Sequence, residues 1–495
     1  MALLRVHPAR RLLPRAAVAA AALATLAVPG TAWAAAPGPL SLTTASQVAE
    51  QDVPALPGSE PDTLVEPDVA VSPVDPQVAV AVAHDGRYPD GGAVGISYAW
   101  TADGGRHWEH HPLPGITATT GGPAVWERAS DPVVAFDSDG TVYVSVLVFD
   151  SGCDSGVLVS RSTDGGRTFG APVTAHQSST CAVSDDKNWL VVDTSPTSPH
   201  RGRIYQFWSE FISDSDFNVI NVPQDLVWSD DHGATWSAPV ATTPDPSFTQ
   251  DSQPMLRPDG TIVDAYLDYG SADAMDEGSE AQEARESSAD RVAAAAAPAA
   301  VQEGGPDLVT RISRDGGSTW SAGETVETNV GQGPDGIRCC LPSGTADPVT
   351  GRLYLAWNGS DTSQVLVSHS ADGVHWSRPR QANPVDESQQ AVNVDVAAYG
   401  GIVAVSYGET DGTHVQQYVV NSHSGETFSA PLAVGPVSDL TYAAQAGGAF
   451  PGDYIGTALR NGVLYAVWCV SSTPPATGAT YHQVEYGATF AVSRR

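Results

Sequence analysis

The sequence predicts an all-β chain folded as a β-propeller of seven four-stranded blades, with a six-bladed ring as the alternative. Three recurring patterns predict it. A turn motif returns six times, a Gly-led aliphatic strand precedes most of these turns, and a polar-headed apolar strand precedes that. A unit recurring roughly every 50 to 85 residues marks a repeat architecture.

The turn motif reads TADGGRHW at 101–108, STDGGRTF at 162–169, SDDHGATW at 229–236 and SRDGGSTW at 313–320. SADGVHW at 370–376 is one residue shorter, and NSHSGETF at 421–428 carries His in the Asp position. Each lies between short strand-like runs and reads as a hairpin turn. The carboxylates of Asp103, Asp164, Asp231, Asp315 and Asp372 are suited to accept backbone N–H groups and close the loop. The Gly supplies positive φ, and the terminal Trp or Phe is large enough to fill a gap between sheets. These Asp residues are structural.

The Gly-led strands are GTVY at 140–143, GRIYQFW at 202–208, GTIV at 260–263, GRLYLAW at 351–357 and GVLYAVW at 462–468. Their alternation has the period of a strand. The polar-headed strands start at Glu66, Ser130, Asp186, Asp251, Arg338, Asn393 and Gly452. The unit is therefore four strands, with the box between the third and fourth. A seventh start near Asp453 has no box, and a strand at about 40–48 would complete it and remove an open sheet edge.

The chain outside the repeats divides simply. Residues 1–34 read as an export signal: Arg5, Arg10, Arg11 and Arg15, an apolar run from Ala16 to Val28, then the small-x-small sequence of Ala32, Trp33 and Ala34. That run is too short to span a bilayer, so the expectation is a secreted protein without a membrane span. Residues 35–495 read as a single domain, and the propeller itself starts at about residue 38. Its one interruption is 271–306, acidic and then Ala-rich, a composition that buries no core and predicts disorder.

The 495 residues carry 24 Lys+Arg against 57 Asp+Glu, a formal charge of −33. Loss of a signal bearing four arginines makes the remainder more acidic still. Such a chain offers no basic face for phosphates, which excludes nucleic acid as partner. Clustered carboxylates leave room for Ca²⁺, and no other cofactor is expected. Five cysteines in an exported chain permit disulfides. Cys153 with Cys181 is the expected pair, as the closest non-adjacent two. One of Cys339 and Cys340 is expected to pair with Cys469.

In a propeller the first strands line the central channel and enter from one face, while the boxes lie on the other. The polar strand starts then converge on one mouth: Glu66, Asp68, Arg128, Asp131, Asp186, Lys187, Trp189, Asp251, Gln253, Arg338, Asn393, Asp453 and Tyr454. Carboxylates crowded together repel, so one can stay protonated near neutral pH and serve as an acid. A second carboxylate or an ionised Tyr can then act as base or nucleophile.

The boxes resemble Asp-box (bacterial neuraminidase) repeats, and nearly the whole mature chain resembles the sialidase-like superfamily. That resemblance implies a secreted, monomeric, glycan-active propeller, in first place an exo-acting glycoside hydrolase of sialidase type. The family uses a Tyr nucleophile polarised by Glu, an Asp acid/base and three Arg on the substrate carboxylate. Residues of those types here are Tyr454, Glu66, Asp68 or Asp131, and Arg338 with Arg128 and Lys187 as helpers. Trp189, Asp251, Gln253, Asn393 and Asp453 complete the expected binding surface. The family's Arg-Ile-Pro or Arg-Leu-Pro motif does not occur. Similar turns also occur in non-catalytic propellers, so a carbohydrate- or protein-binding role, with Trp189 stacking on sugars, stays open. So does a polysaccharide lyase on acidic glycans, with Arg338, Lys187 or Ca²⁺ neutralising the uronate. No His stands at a strand start to act as its base.

Overall fold

The computed structural model describes residues 40–276, 305–384, 386, 388–475 and 478–493. The expected signal at 1–34 lies outside these residues, as does 277–304 of the expected insertion. At the insertion's described edge, Ala272–Asp276 forms a short helix whose Met275 is buried.

Among the described residues the regular structure is almost entirely β. Runs of four antiparallel strands follow one another along the chain, over 64–112, 128–179, 183–241, 249–327, 343–381 and 390–439, and the third carries a short fifth strand, Val219–Asn221, paired with its second. The first two join into one eight-stranded sheet through a single residue pair, Ala93 with Ala129. A further sheet takes three strands from 456–492 and its fourth, Leu40–Ala49, from the N-terminal side, paired antiparallel with Gln483–Val492. Each turn motif falls between the third and fourth strands of its run.

Burial explains the order of the strands within a run. Second strands such as Val142–Phe149 are buried along their whole length, as strands covered on both faces must be. Fourth strands such as Val173–Ser179 are largely exposed. The first strands are Leu64–Val71, Arg128–Phe136, Val183–Val192, Thr249–Leu256, Ser343–Ala346, Gln390–Tyr399 and Gly456–Arg460. Each lies against the first strand of the next run, and Gly456–Arg460 lies against Leu64–Val71.

The turns join these sheets. Ser162 Oγ donates to Asp164 Oδ1 at 2.7 Å, and the same carboxylate accepts the Thr168 amide at 2.9 Å and its hydroxyl at 2.6 Å. The Asp231 and Asp315 turns repeat these bonds. Bonds from the Thr235 hydroxyl and amide hold the Asp231 carboxyl down at about 2. The closing aromatic packs on the preceding sheet: Phe169 on Tyr98 at 4.8 Å, Trp320 on Phe207 at 6.0 Å and Trp108 on Tyr465 at 6.4 Å. Gly166, at φ 94°, is fixed twice over, because a Cβ there would run into Val80.

The disulfides divide between expectation and correction. Cys153 is bonded to Cys181. Cys339 is bonded to its neighbour Cys340, and Cys469 is a buried free thiol. The expected link to Cys469 is therefore overturned: Cys469 stands in the second strand of the last sheet, while Cys339 and Cys340 lie where the chain runs up to Ser343–Ala346.

Candidate functional site

Five first strands slip register at the same point. The breaks fall between Val65 and Asp68, Ser130 and Val133, Asp186 and Trp189, Gln250 and Gln253, and Val392 and Val394. Inside each break sits one polar residue in the left-handed region: Glu66 (φ 54°), Asp131 (47°), Lys187 (44°), Asp251 (63°) and Asn393 (48°). A bulge re-aims the side chain it carries. Left-handed backbone costs a residue with a Cβ about 1–2 kcal/mol, so it persists only where the surroundings impose it. Its repetition at five equivalent points makes it a designed feature of the unit.

The re-aimed side chains meet. Glu66 Oε2 lies 2.9 Å from His84 Nε2, and the Asp131 amide nitrogen lies 2.6 Å from the same ring nitrogen. Arg338 grips Asp453 with two bonds, Nε to Oδ1 at 3.3 Å and Nη2 to Oδ2 at 3.0 Å. Asn393 Nδ2 donates to the Gly452 carbonyl at 2.9 Å, and its amide lies 3.3 Å from Cys340 Sγ. Gln253 Nε2 donates to Asp251 Oδ1 at 2.9 Å. The Lys187 ammonium sits 3.8 Å from the Tyr454 ring centroid, 4.5 Å from that of Trp189 and 4.0 Å from Asp251 Oδ1. It is buried and makes no hydrogen bond among the described residues.

Burial sets the electrostatics. It raises Asp251 to about 6, with Lys187 pulling the other way and Asp453 adding to the rise. Burial also raises Asp68 to about 6 against the Val134 and Val69 amides, each 2.8 Å from its carboxylate, and against Lys187. Two carboxyls poised near neutrality beside one ammonium form an arrangement able to give and take protons. Tyr454 moves the other way from a nucleophile. Burial, then the charges of Glu66 and Asp131, push its phenol well above the usual value, and its hydroxyl donates to the Pro132 carbonyl at 3.2 Å.

The strand-start cluster is not an open mouth. Glu66, Asp131, Lys187, Asp251, Arg338, Asn393, Asp453 and Tyr454 are all between 0 and 8% exposed. A hairpin of Ala444–Gln445 and Ala449–Phe450 packs on Val65, and Phe450 lies under Arg87 at 4.7 Å and Arg338 at 5.2 Å. The 336–338 segment bonds to that hairpin through the Gly336 carbonyl and the Arg338 amide. Gly452 passes so near that a Cβ on it would lie 2.8 Å from the Glu66 amide nitrogen. Open space lies along the first strands instead, as a cavity of about 320 Å3. Asp68 and Trp189 line it, together with Val, Ala and Pro side chains, Asp193, Arg257 and Arg460.

Of the residues expected from sequence, the fold joins Glu66, Asp131, Lys187, Trp189, Asp251, Gln253, Arg338, Asn393, Asp453 and Tyr454 through the contacts above, while Asp68 faces the cavity. Arg128 stands apart: Asp90 holds it at 2.9 Å and it covers Tyr88 at 4.2 Å. Sequence reasoning missed His84, which arrives from the second strand Ala79–Arg87 rather than from a strand start. Its signal was a His and an Asp breaking the run AVAVA. Phe450 had no signal in the repeat pattern. The strands expected to start at Arg338 and Gly452 begin later, at Ser343 and Gly456, so Arg338, the Cys339–Cys340 pair, Asp453 and Tyr454 stand on the segments leading into them.

No family model matches the chain, and no curated protein matches it. Solved structures do. A sialidase titled Hadza microbial sialidase Hz136 is 14% identical over 92% of this chain and 94% of that one, with a TM-score of 0.46. A PL25 ulvan lyase is 10% identical over 92% and 95%, at 0.47. The α-L-arabinofuranosidase Arb93A of Fusarium graminearum is 11% identical over 90% and 98%, at 0.43. At these values the likenesses assign no activity to the chain.

Proposed function

We propose that this protein is an exported, glycan-active, seven-bladed β-propeller closed by its N-terminal strand, with exo-glycoside hydrolase chemistry of the sialidase-like kind. The blade count is supported by the succession of four-stranded runs and by the contact of Gly456–Arg460 with Leu64–Val71. The activity rests on one observation: a carboxyl raised to about 6, Asp68, and an indole, Trp189, share a cavity of about 320 Å3. That volume is at the small end of ligand sites and suits one terminal sugar. Trp189 offers the ring face for stacking and Asp68 the proton.

A second reading has its own support. Arg338 is neutralised by Asp453 and the Tyr454 hydroxyl is spent on Pro132, so neither is disposed as a carboxylate clamp or nucleophile. A sugar-binding propeller without catalysis needs neither. The test is product release from a panel of fluorogenic glycosides, sialosides included. Release that Asp68→Asn abolishes supports the hydrolase, and sugar binding without release supports the second reading.

A further inference from the structure

A second polar cluster lies away from the first-strand bulges, between two successive sheets. His176 stands on Val173–Ser179, the fourth strand of one run. Asp185, on Val183–Val192, and Glu210, on Ile204–Ser213, are direct cross-strand partners in the next. His176 Nε2 lies 3.4 Å from Asp185 Oδ1 and 3.6 Å from Glu210 Oε1. One ligand atom from each of the three falls within 4.8 Å of the others.

The distances are too long for good hydrogen bonds. They match the separation of two atoms that ligate one ion: metal bonds of about 2.0–2.2 Å in a tetrahedral shell hold their ligands about 3.4 Å apart. Both facing atoms, His176 Nε2 and Asp185 Oδ1, are buried and lack hydrogen-bond partners among the described residues. The Asp185 side chain is fully buried, and Ser155 Oγ fixes its other oxygen at 3.0 Å, which aims Oδ1 at the imidazole. The His176 ring is held in turn by stacking on Trp208 at 4.4 Å. The Cys153–Cys181 disulfide ties the segments that lead into Ser155 and Asp185.

The charge is also unbalanced. Asp225 adds a third carboxyl, and among the described residues no Lys or Arg pairs with any of the three. His176 and Glu210 keep 13% and 21% of their side-chain surface, so solvent reaches the cluster.

We propose that His176, Asp185 and Glu210 bind one divalent cation of the zinc or manganese class, with Asp225 in support, and that this ion clamps the two sheets together. One imidazole with carboxylates suits that class better than Ca²⁺, whose shells are built from oxygen alone. The site is independent of the cavity at Asp68.

The test uses tag-free full-length protein stripped with EDTA. Titration with Zn²⁺ should show one equivalent bound, and Co²⁺ in its place should give a visible spectrum of nitrogen–oxygen coordination. His176→Ala and Asp185→Asn should weaken binding at least tenfold while circular dichroism stays unchanged. Zn²⁺ should raise the melting temperature of the wild type and not of the variants. Glu210→Gln, a milder change at a partly exposed position, covers the case in which the others fail to fold. No stoichiometric uptake by the wild type, uptake equal in wild type and Glu210→Gln, or preference for Ca²⁺ over Zn²⁺ would each overturn the proposal.

Discussion

The Lys187 ammonium lies 3.8 Å above the Tyr454 ring and 4.0 Å from Asp251 Oδ1, buried and without a hydrogen bond among the described residues. Two aromatic faces and one carboxylate stand in for water around it. Its charge is felt at both Asp68 and Asp251, and it lowers the pKa of each. Lys187→Met is expected to raise both carboxyls above 6 and to move the alkaline limb of the pH–activity profile, which Asp68 sets as the acid, upward by about one unit. A profile that stays in place would separate Lys187 from the proton chemistry.

Stability should peak at mildly acidic pH. The turn carboxylates Asp103 and Asp231 are depressed to about 2. Their contribution is complete above about pH 4 and is lost as pH falls towards 2. The buried acids are raised, Asp68 and Asp251 to about 6, Asp395 to about 7 and Asp264 to about 8. Theirs is complete below about pH 4 and is lost as pH rises through those values. Melting temperature at fixed ionic strength should therefore be highest near pH 4 and fall from there towards pH 8. A steady rise to pH 8 would contradict this.

Much of this arrangement could be read from the sequence, and the part that could not has identifiable causes. The turns were readable because Ser, Asp and Gly at fixed offsets make a local hydrogen-bonded loop that needs no distant partner, as Ser162, Asp164 and Gly166 do. The polar strand starts were readable because they interrupt aliphatic runs. Their left-handed bulges were not, since Glu66, Asp131, Lys187, Asp251 and Asn393 have ordinary β neighbours and are held by contacts from other runs. His84, Phe450 and the 336–341 segment reach the cluster from elsewhere in the chain, so period and spacing say nothing of the cover they provide.

The inter-sheet aromatics should be costly to remove. Phe169 is 9% exposed and packs edge-on to Tyr98 of the preceding sheet. Phe169→Ala should destabilise by about 3 kcal/mol. Gly166→Ala adds strain at φ 94° to a clash with Val80, and is expected to leave little folded protein. Denaturant unfolding of both variants measures these losses, and a change below about 1 kcal/mol in Phe169→Ala would mean the ring is not wedged.

The Arg338–Asp453 pair is buried on both sides, each side chain 7% exposed. Asp453→Leu takes a carboxylate partner from the buried guanidinium and should cost about 3–5 kcal/mol. Adding Arg338→Met should restore more than half of that loss, because the guanidinium that lost its Asp453 partner is then gone. A double variant as unstable as the single one would show that the pair has a role beyond mutual neutralisation.

The central claim, that Asp68 serves as an acid in a cavity sized for one sugar, is tested most directly by product release from fluorogenic glycosides. Wild type and Asp68→Asn should be compared from pH 4 to 8. The expected result is turnover of one glycoside class by the wild type, falling as pH rises past about 6, and at least a hundredfold loss in the variant. Equal turnover by both proteins would contradict it, as would silence of the wild type across the panel.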